Sequence, residues 1–373
     1  MRNGPHGPTS GIRISRGTEH WRAIALGAAF SLQVVPVSGA HSRFVGLAPE
    51  PVPMRKLSPV TSSGTCLFGE YFFADYSGAA SEHGQRKSIK VGFATPHCDV
   101  SLVPGAFTRE SLLNWMHQKL LSASERGIRV CFGQDHSYGF PVGFAHELGI
   151  AGLPWRSSVE SFLEGLYAAD APRFTGVPEF ARGVNSWLRS RGMMDYFWSA
   201  TQKGYGLPFR NPRASTDKAF SRVTDKRRSN FRRTPSPMPF SRVGDNGSVG
   251  GQALWGLTML RQLICRCERD GISLRCWPFD GLNVGAEEYE GCHVLVEAYP
   301  SAYRAADLAQ SDEADALCTV DALKLSDAEG RLAKLLNVSE ILPALQAAVQ
   351  FEGWIFGQEH LPQDLAITNF ADL

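Results

Sequence analysis

The sequence predicts an α/β protein in which a mixed sheet is flanked by helices. Two strand-like segments come first, an apolar run over Cys66–Asp75 and a period-two alternation over Ser88–Thr95. An amphipathic helix follows and leads into a second apolar run, Ile128–Asp135. A hairpin, a helix and a returning strand in this order are typical of an α/β sheet.

The composition is that of a globular protein, and it also bears on the partners and the cellular compartment of the protein. Hydrophobic residues make up 43% of the chain and aromatic residues 10%, enough for a sizeable core. The net charge of +1 provides no general field that would favour a nucleic-acid or membrane partner. None of the eight cysteines forms a C-x-x-C pair, which indicates free thiols in a reducing compartment. We therefore expect a cytoplasmic protein.

The chain divides into four segments. Residues 1–60 are expected to be a disordered or non-core leader, and 66–152 the first part of the core. Residues 153–245 form a helical and basic insertion, and 246–373 the second part of the core with a C-terminal helix. The leader contains AIALGAAFSLQVVPVSGA, which imitates a signal-peptide core but is too interrupted to span a membrane. Met54 is a plausible true start, and a secreted protein is the alternative.

The spacing of apolar residues and the candidate helix caps predict further helices and strands. The two first strands should form a hairpin across a turn at Gly78–Lys87, and the next helix should have Thr108 as its N-cap and Gly127 just after its C-cap. A later helix follows GDNGSVGG and ends at Gly271. Further strands are predicted over 272–279 and 292–300, and further helices within 155–198, over 311–325 and over 338–354.

Two of these helices have a predicted inward face. In the helix after GDNGSVGG it consists of Leu254, Leu257, Leu260, Leu263 and Ile264. In the helix over 311–325 we expect the inward residues to be Ala314, Leu317 and Ala322.

Carboxylates stand at the ends of several predicted elements. Asp75, Asp135 and Glu297 lie at or near strand ends, and Asp312 and Asp315 lie three apart on a helix. Ligands of an open α/β sheet gather at the carboxyl ends of its strands, so these acids are expected to point at a common cleft. Carboxylates suit hard cations such as Mg²⁺ or Mn²⁺. Two such ions can activate a water and stabilise the leaving oxygen in phosphodiester cleavage.

Each acid also has a structural interpretation. Asp75 or Asp135 can cap the turn after its strand. Glu297, within VLVEAYP, needs a partner or a metal if it is buried, and needs neither if it faces solvent. Asp312 and Asp315 can be acids that the dipole favours at a helix N-terminus.

Six motifs carry a family resemblance. They are, in chain order, FADYSGA, FGQDHSYGFP, NGSVGGQALWGLTMLRQL, LRCWPFDG, VLVEAYPSAYR and DEADALCTVDAL. In this order they resemble domain-of-unknown-function family four-two-nine, whose members are regarded as predicted nucleases with an RNase H-like fold. The resemblance covers about Cys66 to Leu325 and leaves the leader out. It implies an RNase H-like sheet with acids on its first strand, a central strand and the last helix.

The resemblance assigns roles to individual positions. Asp75 matches the acid of the first strand, Asp135 the acid before the turn and proline, Glu297 the glutamate of E-x-Y-P, and Asp315, with Asp312, the helical acids. These residues would be the catalytic metal ligands. His136 departs from the pattern, since relatives often have a small or apolar residue there. It either orients a water or phosphate, or forms a hydrogen bond within its loop, which we favour.

The positive charge is concentrated in one segment. Between Lys203 and Arg242 the sequence has eleven Lys and Arg residues against two acids. The segment is expected to be an extended loop whose cations hold a phosphate backbone while Phe231 stacks on a base. The alternative is an insertion that is charged only for solubility. The proposed contacts are Lys226, Arg227, Arg228, Phe231, Arg232 and Arg233.

The sequence therefore predicts a Mg²⁺- or Mn²⁺-dependent nuclease acting on DNA or RNA. A non-catalytic module that binds nucleic acid or a nucleotide is the second hypothesis. A phosphohydrolase acting on small nucleotides is the third. No G-x-S-x-G elbow or catalytic cysteine signature supports a serine or cysteine hydrolase. No pattern in the sequence addresses the oligomeric state.

Overall fold

The computed structural model describes residues 66–164, 176–201, 205–213, 220–225, 238–244, 248–304, 310–341 and 343–358. Its sheet has six strands, which are β1 (Glu70–Asp75), β2 (Lys90–Thr95), β3 (Cys98–Leu102), β4 (Val130–Gln134), β5 (Leu274–Cys276) and β6 (His293–Glu297). The helices of the described residues are α1 (Glu82–Ser88), α2 (Arg109–Glu125), α3 (Val142–Leu148), α4 (Trp155–Glu164), α5 (Val177–Ser190), α6 (Gly250–Arg269), α7 (Asp312–Ala328), α8 (Leu332–Leu335) and α9 (Pro343–Glu352).

The predicted α/β class is confirmed, with a mixed sheet flanked by helices. The strand order is β3-β2-β1-β4-β6-β5. β2 pairs antiparallel with both β1 and β3, whereas β1, β4, β6 and β5 pair in parallel. β1 and β4 are therefore parallel neighbours whose carboxyl ends lie side by side. In their register Ala74 pairs with Gln134, so Asp75 and Asp135 follow at the same sheet edge.

Helices bury both faces of the sheet. On one face, α2 and the leucine stripe of α6 pack with Phe72 of β1 and Phe132 of β4, as the spacing of α6 predicts. On the other face, α7 and α9 pack with Phe73 of β1 and Cys131 of β4. This alternation along β1 and β4 is the period-two pattern of strands that are buried on both faces.

The insertion shares the first of these cores. Phe162 of α4, Phe180 of α5 and Phe240 belong to the same buried cluster as Phe72 of the sheet. Much of the described insertion thus shares the first core, whereas its Val223 packs in the second. Among the described residues, no helix is both long and apolar enough to cross a membrane. The apolar stretch of the leader lies outside the described residues.

The local predictions need three corrections. The connection between β1 and β2 contains helix α1 where a simple turn was predicted, and Ser81 caps this helix by accepting from the Gly84 N–H. Strand β3 was not predicted. The predicted inward face of α7 is only partly right, because Ala322 packs against the core but the fully buried apolar side chains are Ala316, Val320 and Leu323.

The predicted helix boundaries of α2 are confirmed. The Thr108 side chain accepts from the Ser111 N–H, and the Ser111 side chain accepts from the Thr108 N–H, which completes a capping box. Gly127 follows the C-cap with a φ of +70°, the left-handed conformation that glycine tolerates best. These caps fix the residues at which α2 begins and ends, and therefore where the chain turns toward β4.

One glycine of α6 permits close contact with the loop after β4. A Cβ at Gly256 would lie 2.3 Å from ring atoms of His136, so the imidazole packs directly on the helix backbone. By contrast, a Cβ at Gly183 in the middle of α5 would meet nothing within 4 Å.

These two helical glycines give a matched prediction. Gly256→Ala should lower the free energy of unfolding by about 1–3 kcal/mol, because the methyl group overpacks the site and must displace His136. Gly183→Ala should raise it by about 0.5–1 kcal/mol through helix propensity alone. Urea unfolding of both variants measures the difference. Equal stabilisation by the two substitutions would contradict the close packing of His136 on α6.

Candidate functional site

Two carboxyl groups meet at the carboxyl edge of the sheet. Asp75 is the last residue of β1, and Asp135 directly follows β4. Their carboxyl groups interact, since each shifts the ionisation of the other, and Asp75 is only 8% exposed. Two like charges this close in a buried site repel each other, and a proton on one of them relieves the repulsion. The structure thus brings together two of the predicted ligands as a buried pair.

Backbone and side-chain donors fix the orientation of Asp135. The Tyr76 N–H donates to its Oδ1 at 2.6 Å, and Nε2 of Gln252 donates to its Oδ2 at 2.5 Å. Gln252 lies in the first turn of α6, and Gly78 of the loop after β1 packs closely on its backbone. The GSVGGQ motif therefore acts through the amide of Gln252, a role that the sequence analysis did not assign.

The loop after β1 is also held by a buried arginine. Arg109, at the start of α2, donates from Nη1 to the backbone oxygens of Ser77 and Ala79 at 2.9 and 2.7 Å. Its guanidinium lies 4.3 Å from the ring centroid of Trp255 in α6. These contacts fix the backbone that leaves β1, and with it the position of Asp75.

Burial sets the electrostatics of the pair. Desolvation raises the pKa of Asp135 to about 7, although hydrogen bonds from Asp75, Tyr76 and Gln252 act in the opposite direction. Desolvation and the charge of Asp135 raise the pKa of Asp75 well above its usual range. Two neighbouring carboxylates with little solvent cannot both ionise at low cost. Without a cation, the pair retains a proton near neutral pH.

The acids of α7 lie near this pair. The charges of Asp312 and Asp315 both raise the pKa of Asp75. Asp315 accepts a hydrogen bond from Nη1 of Arg304 at 2.7 Å, whereas burial raises its pKa. The pKa of Asp312 is also raised, first by burial and then by the charges of Glu313 and Asp315. Three elements, β1, β4 and α7, thus contribute acids to one region.

Glu297 is engaged elsewhere. It pairs in register with Gln134, the residue before Asp135. Its two oxygens accept from Nη1 and Nη2 of Arg222, both at 2.7 Å. Glu297 is 5% exposed and Arg222 only 1%. Its expected partner is therefore an arginine, and the structure does not bring Glu297 to the Asp75–Asp135 pair.

Arg222 joins three elements into a buried ion-pair network. Besides Glu297 it contacts Asp225 at 2.8 Å and the backbone oxygen of Glu352 at 3.3 Å. The Glu352 carboxyl accepts from the N–H groups of Val142 and Val223, while burial raises its pKa to about 7. Because Arg222 and Glu297 are 75 residues apart, no local sequence signal identifies this pair.

His136 is packed rather than presented to a cleft. It is 1% exposed and lies between the rings of Tyr76 and Tyr138, with both centroid distances at 5.0 Å. Its Nδ1 is 3.3 Å from the backbone oxygen of Ser137. Burial lowers the pKa of His136 to about 4, so the imidazole is neutral at physiological pH. The burial of His136 supports the predicted hydrogen bond within its loop over the alternative, a contact with a phosphate in an open cleft.

The predicted metal set is only partly assembled. Among the described residues, no group of three or more His, Cys, Asp or Glu side chains is arranged to hold a metal ion. The two-carboxylate pair with nearby helical acids is what the structure places at the sheet edge. The basic contacts Lys226, Arg227, Arg228, Phe231, Arg232 and Arg233 lie outside the described residues.

Comparisons with known proteins identify no relative. No family model, no curated protein and no solved structure matches this chain significantly. The resemblance drawn from the six motifs stays a prediction, and the site must be interpreted from its own geometry.

The shared proton predicts a pH-dependent stability. Because the pKa of Asp135 is about 7 when folded and about 4 in the unfolded chain, the folded state binds more protons between these values. The stabilising contribution is present below about pH 4 and is lost as the pH rises through 7. We expect Asp135 alone to contribute a loss on the order of 4 kcal/mol of unfolding free energy over this range. Urea unfolding across pH 4–8 measures this loss.

Asp135→Asn is the control for this pH dependence, since asparagine cannot ionise. The variant should show a flatter profile than the wild-type protein in the same titration. An identical pH profile for the two proteins would assign the loss to other groups.

The Arg222 network predicts a structural role for Glu297. Glu297→Gln should lower the free energy of unfolding by about 3 kcal/mol, because it leaves the buried Arg222 without one of its counter-charges. The exposed pair of Glu329 and Arg331 serves as the control, and Glu329→Gln should cost less than about 1 kcal/mol. Chemical denaturation compares the two. A loss at Glu297 no larger than at Glu329 would argue against a structural ion pair.

Proposed function

We propose that this protein is a divalent-metal-dependent phosphodiesterase that acts on nucleic acid. The observation that carries the proposal is the Asp75–Asp135 pair at the ends of two adjacent parallel strands, beside the acidic start of α7. This is the edge where ligands of open α/β sheets bind. Acids on the first strand, a central strand and a late helix are also what the family resemblance implies, so the pair supports an RNase H-like interpretation of the sheet.

The donor set fits Mg²⁺ or Mn²⁺. Both prefer oxygen ligands, and Mg²⁺ is commonly held by one or two carboxylates together with waters and substrate phosphates. Asp75 and Asp135 supply these two carboxylates, and a cation would replace the proton that they share. When bound, the metal supplies an activated water and stabilises the leaving oxygen of a phosphodiester.

The surrounding residues would hold and orient these ligands. Gln252 and the Tyr76 N–H keep Asp135 turned toward Asp75, as second-layer donors do around metal ligands. Arg109 keeps the loop after β1 rigid. Asp312 and Asp315 add negative potential that attracts a cation to the edge.

The described residues that precede the basic segment support a nucleic-acid substrate. Asp225, which directly precedes Lys226, is bound to Arg222 beside the carboxyl end of β6. The chain therefore enters the cationic segment at the same sheet edge as the acids. Lys226–Arg233 are proposed phosphate contacts on the strength of their charge and this point of entry.

A non-catalytic binding module is the second candidate. It is favoured by the pairing of Glu297 with Arg222, which removes one predicted ligand, and by the lack of a three-ligand group among the described residues. Such a module would retain the basic segment and bind nucleic acid without turnover.

Cleavage assays separate the two candidates. With Mn²⁺, the wild-type protein should cleave DNA or RNA, and chelation should stop the reaction. Asp135→Asn and Asp75→Asn should each lower the rate by about 100-fold, because each removes a metal ligand. Glu329→Gln, on an exposed side chain at the far end of α7, should retain the wild-type rate.

The assay uses single-stranded and double-stranded forms of both nucleic acids, with binding measured on the same samples. Retention of nucleic acid without turnover, unchanged in Asp135→Asn, would replace the enzyme with the binding module.

A further inference from the structure

An arginine occupies the acidic region at the start of α7. Arg304 follows the 3-10 turn Pro300–Ala302 after β6, and its Nη1 donates to Oδ1 of Asp315 at 2.7 Å. The two side chains are 16% and 21% exposed, so the pair is largely shielded from water. Asp315 is one of the acids whose charge acts on Asp75. Arg304 therefore neutralises one of the acids whose charge acts on Asp75.

The other acids at the start of α7 are neutralised in different ways. Lys90 of β2 binds Glu313 at 2.7 Å, and Lys87 and Lys90 both act on the charge of Asp312. Asp312 itself accepts no hydrogen bond from the part of the chain that the structure describes. The Arg304–Asp315 bond is thus the better shielded of these two direct ion pairs. A helix N-terminus already stabilises acids through its dipole, so α7 does not depend on this pair for its formation.

We propose that Arg304 is a built-in counter-ion that competes with a divalent cation for the acidic edge. In the metal-free protein its guanidinium neutralises Asp315, and a cation bound by Asp75 and Asp135 repels it and takes over that role. Arg304 thereby lowers the affinity for metal. Once displaced, its planar fork can bind a substrate phosphate with two hydrogen bonds. The inference rests on the proposed function.

The chemistry of this exchange requires no oxidant or covalent step. One cation replaces another beside Asp315, and no proton or electron is transferred to or from Arg304. Neutral substitutions at position 304 should therefore tighten metal binding. Substitution by lysine should preserve the competition, because it keeps the charge, but should lose the two-pronged phosphate contact.

Mn²⁺ binding to the full chain, measured by calorimetry, tests the competition directly. Arg304→Gln should bind Mn²⁺ about fivefold more tightly than wild type, and Arg304→Lys should stay within about twofold. Arg331→Gln, at the other end of α7, is the matched control and should leave the affinity unchanged. In an Asp315→Asn background, Arg304→Gln should have no further effect, as a double-mutant cycle requires. Arg304→Met is a second neutral variant that keeps the aliphatic stem if Arg304→Gln does not fold.

A second readout addresses the phosphate contact. In the Mn²⁺-dependent cleavage assay, Arg304→Lys should raise KM with little change in kcat, since it weakens a contact to substrate. A merely structural role would change neither the Mn²⁺ affinity nor KM once the variant is folded.

The outcomes separate the two proposals. If wild type and Asp135→Asn both fail to bind Mn²⁺, the proposed function fails and the counter-ion role fails with it. If wild type binds Mn²⁺ through Asp135 but the neutral Arg304 variants bind equally or more weakly, the counter-ion role alone is overturned. Tighter binding by the neutral variants, lost in the Asp315→Asn background, supports it.

Discussion

The candidate site depends on one unfavourable juxtaposition, two carboxyl groups held side by side where solvent is scarce. Parallel pairing of β1 and β4 places Asp75 next to Asp135, and helices on both sheet faces limit their hydration. Such a pair must share a proton or bind a cation. Gln252 and the Tyr76 N–H orient the carboxyl of Asp135, and Arg109 fixes the loop that leaves Asp75. The surrounding fold thus holds two like charges close together, and under the proposed function a divalent cation would neutralise them.

Local sequence patterns predicted the elements that position this pair. Period-two alternation and a capped amphipathic helix were enough to place β1, β2, α2 and β4, because each signal lies within a few residues. Since the ends of adjacent parallel strands share an edge, the meeting of Asp75 and Asp135 followed from the strand assignments. The leucine stripe of α6 was an equally clear local signal for a helix. Helix α1 and strand β3 were missed because both are short and mostly polar.

Long-range charge pairing could not be predicted in the same way. Glu297 has the sequence context of a ligand, but Arg222, which neutralises it, comes from a segment whose composition indicates a solvated basic loop. Arg304 was missed for a related reason, since a lone arginine after a turn carries no signal of its partner. The inward face of α7 was only partly predicted because alanines and leucines surround the helix, and only packing against β1 and β2 selects Ala316, Val320 and Leu323 as its buried residues.

The proposed metal-dependent function requires that a cation binds at the Asp75–Asp135 pair. A crystal structure of the protein grown with Mn²⁺, with anomalous diffraction data, tests this most directly. We predict an anomalous peak within bonding distance of both carboxylates, about 2.0–2.3 Å from their oxygens, with Glu297 still bound to Arg222. If no anomalous peak appears at the Asp75 and Asp135 carboxyl groups in crystals grown with millimolar Mn²⁺, this result would contradict the proposed metal-dependent function.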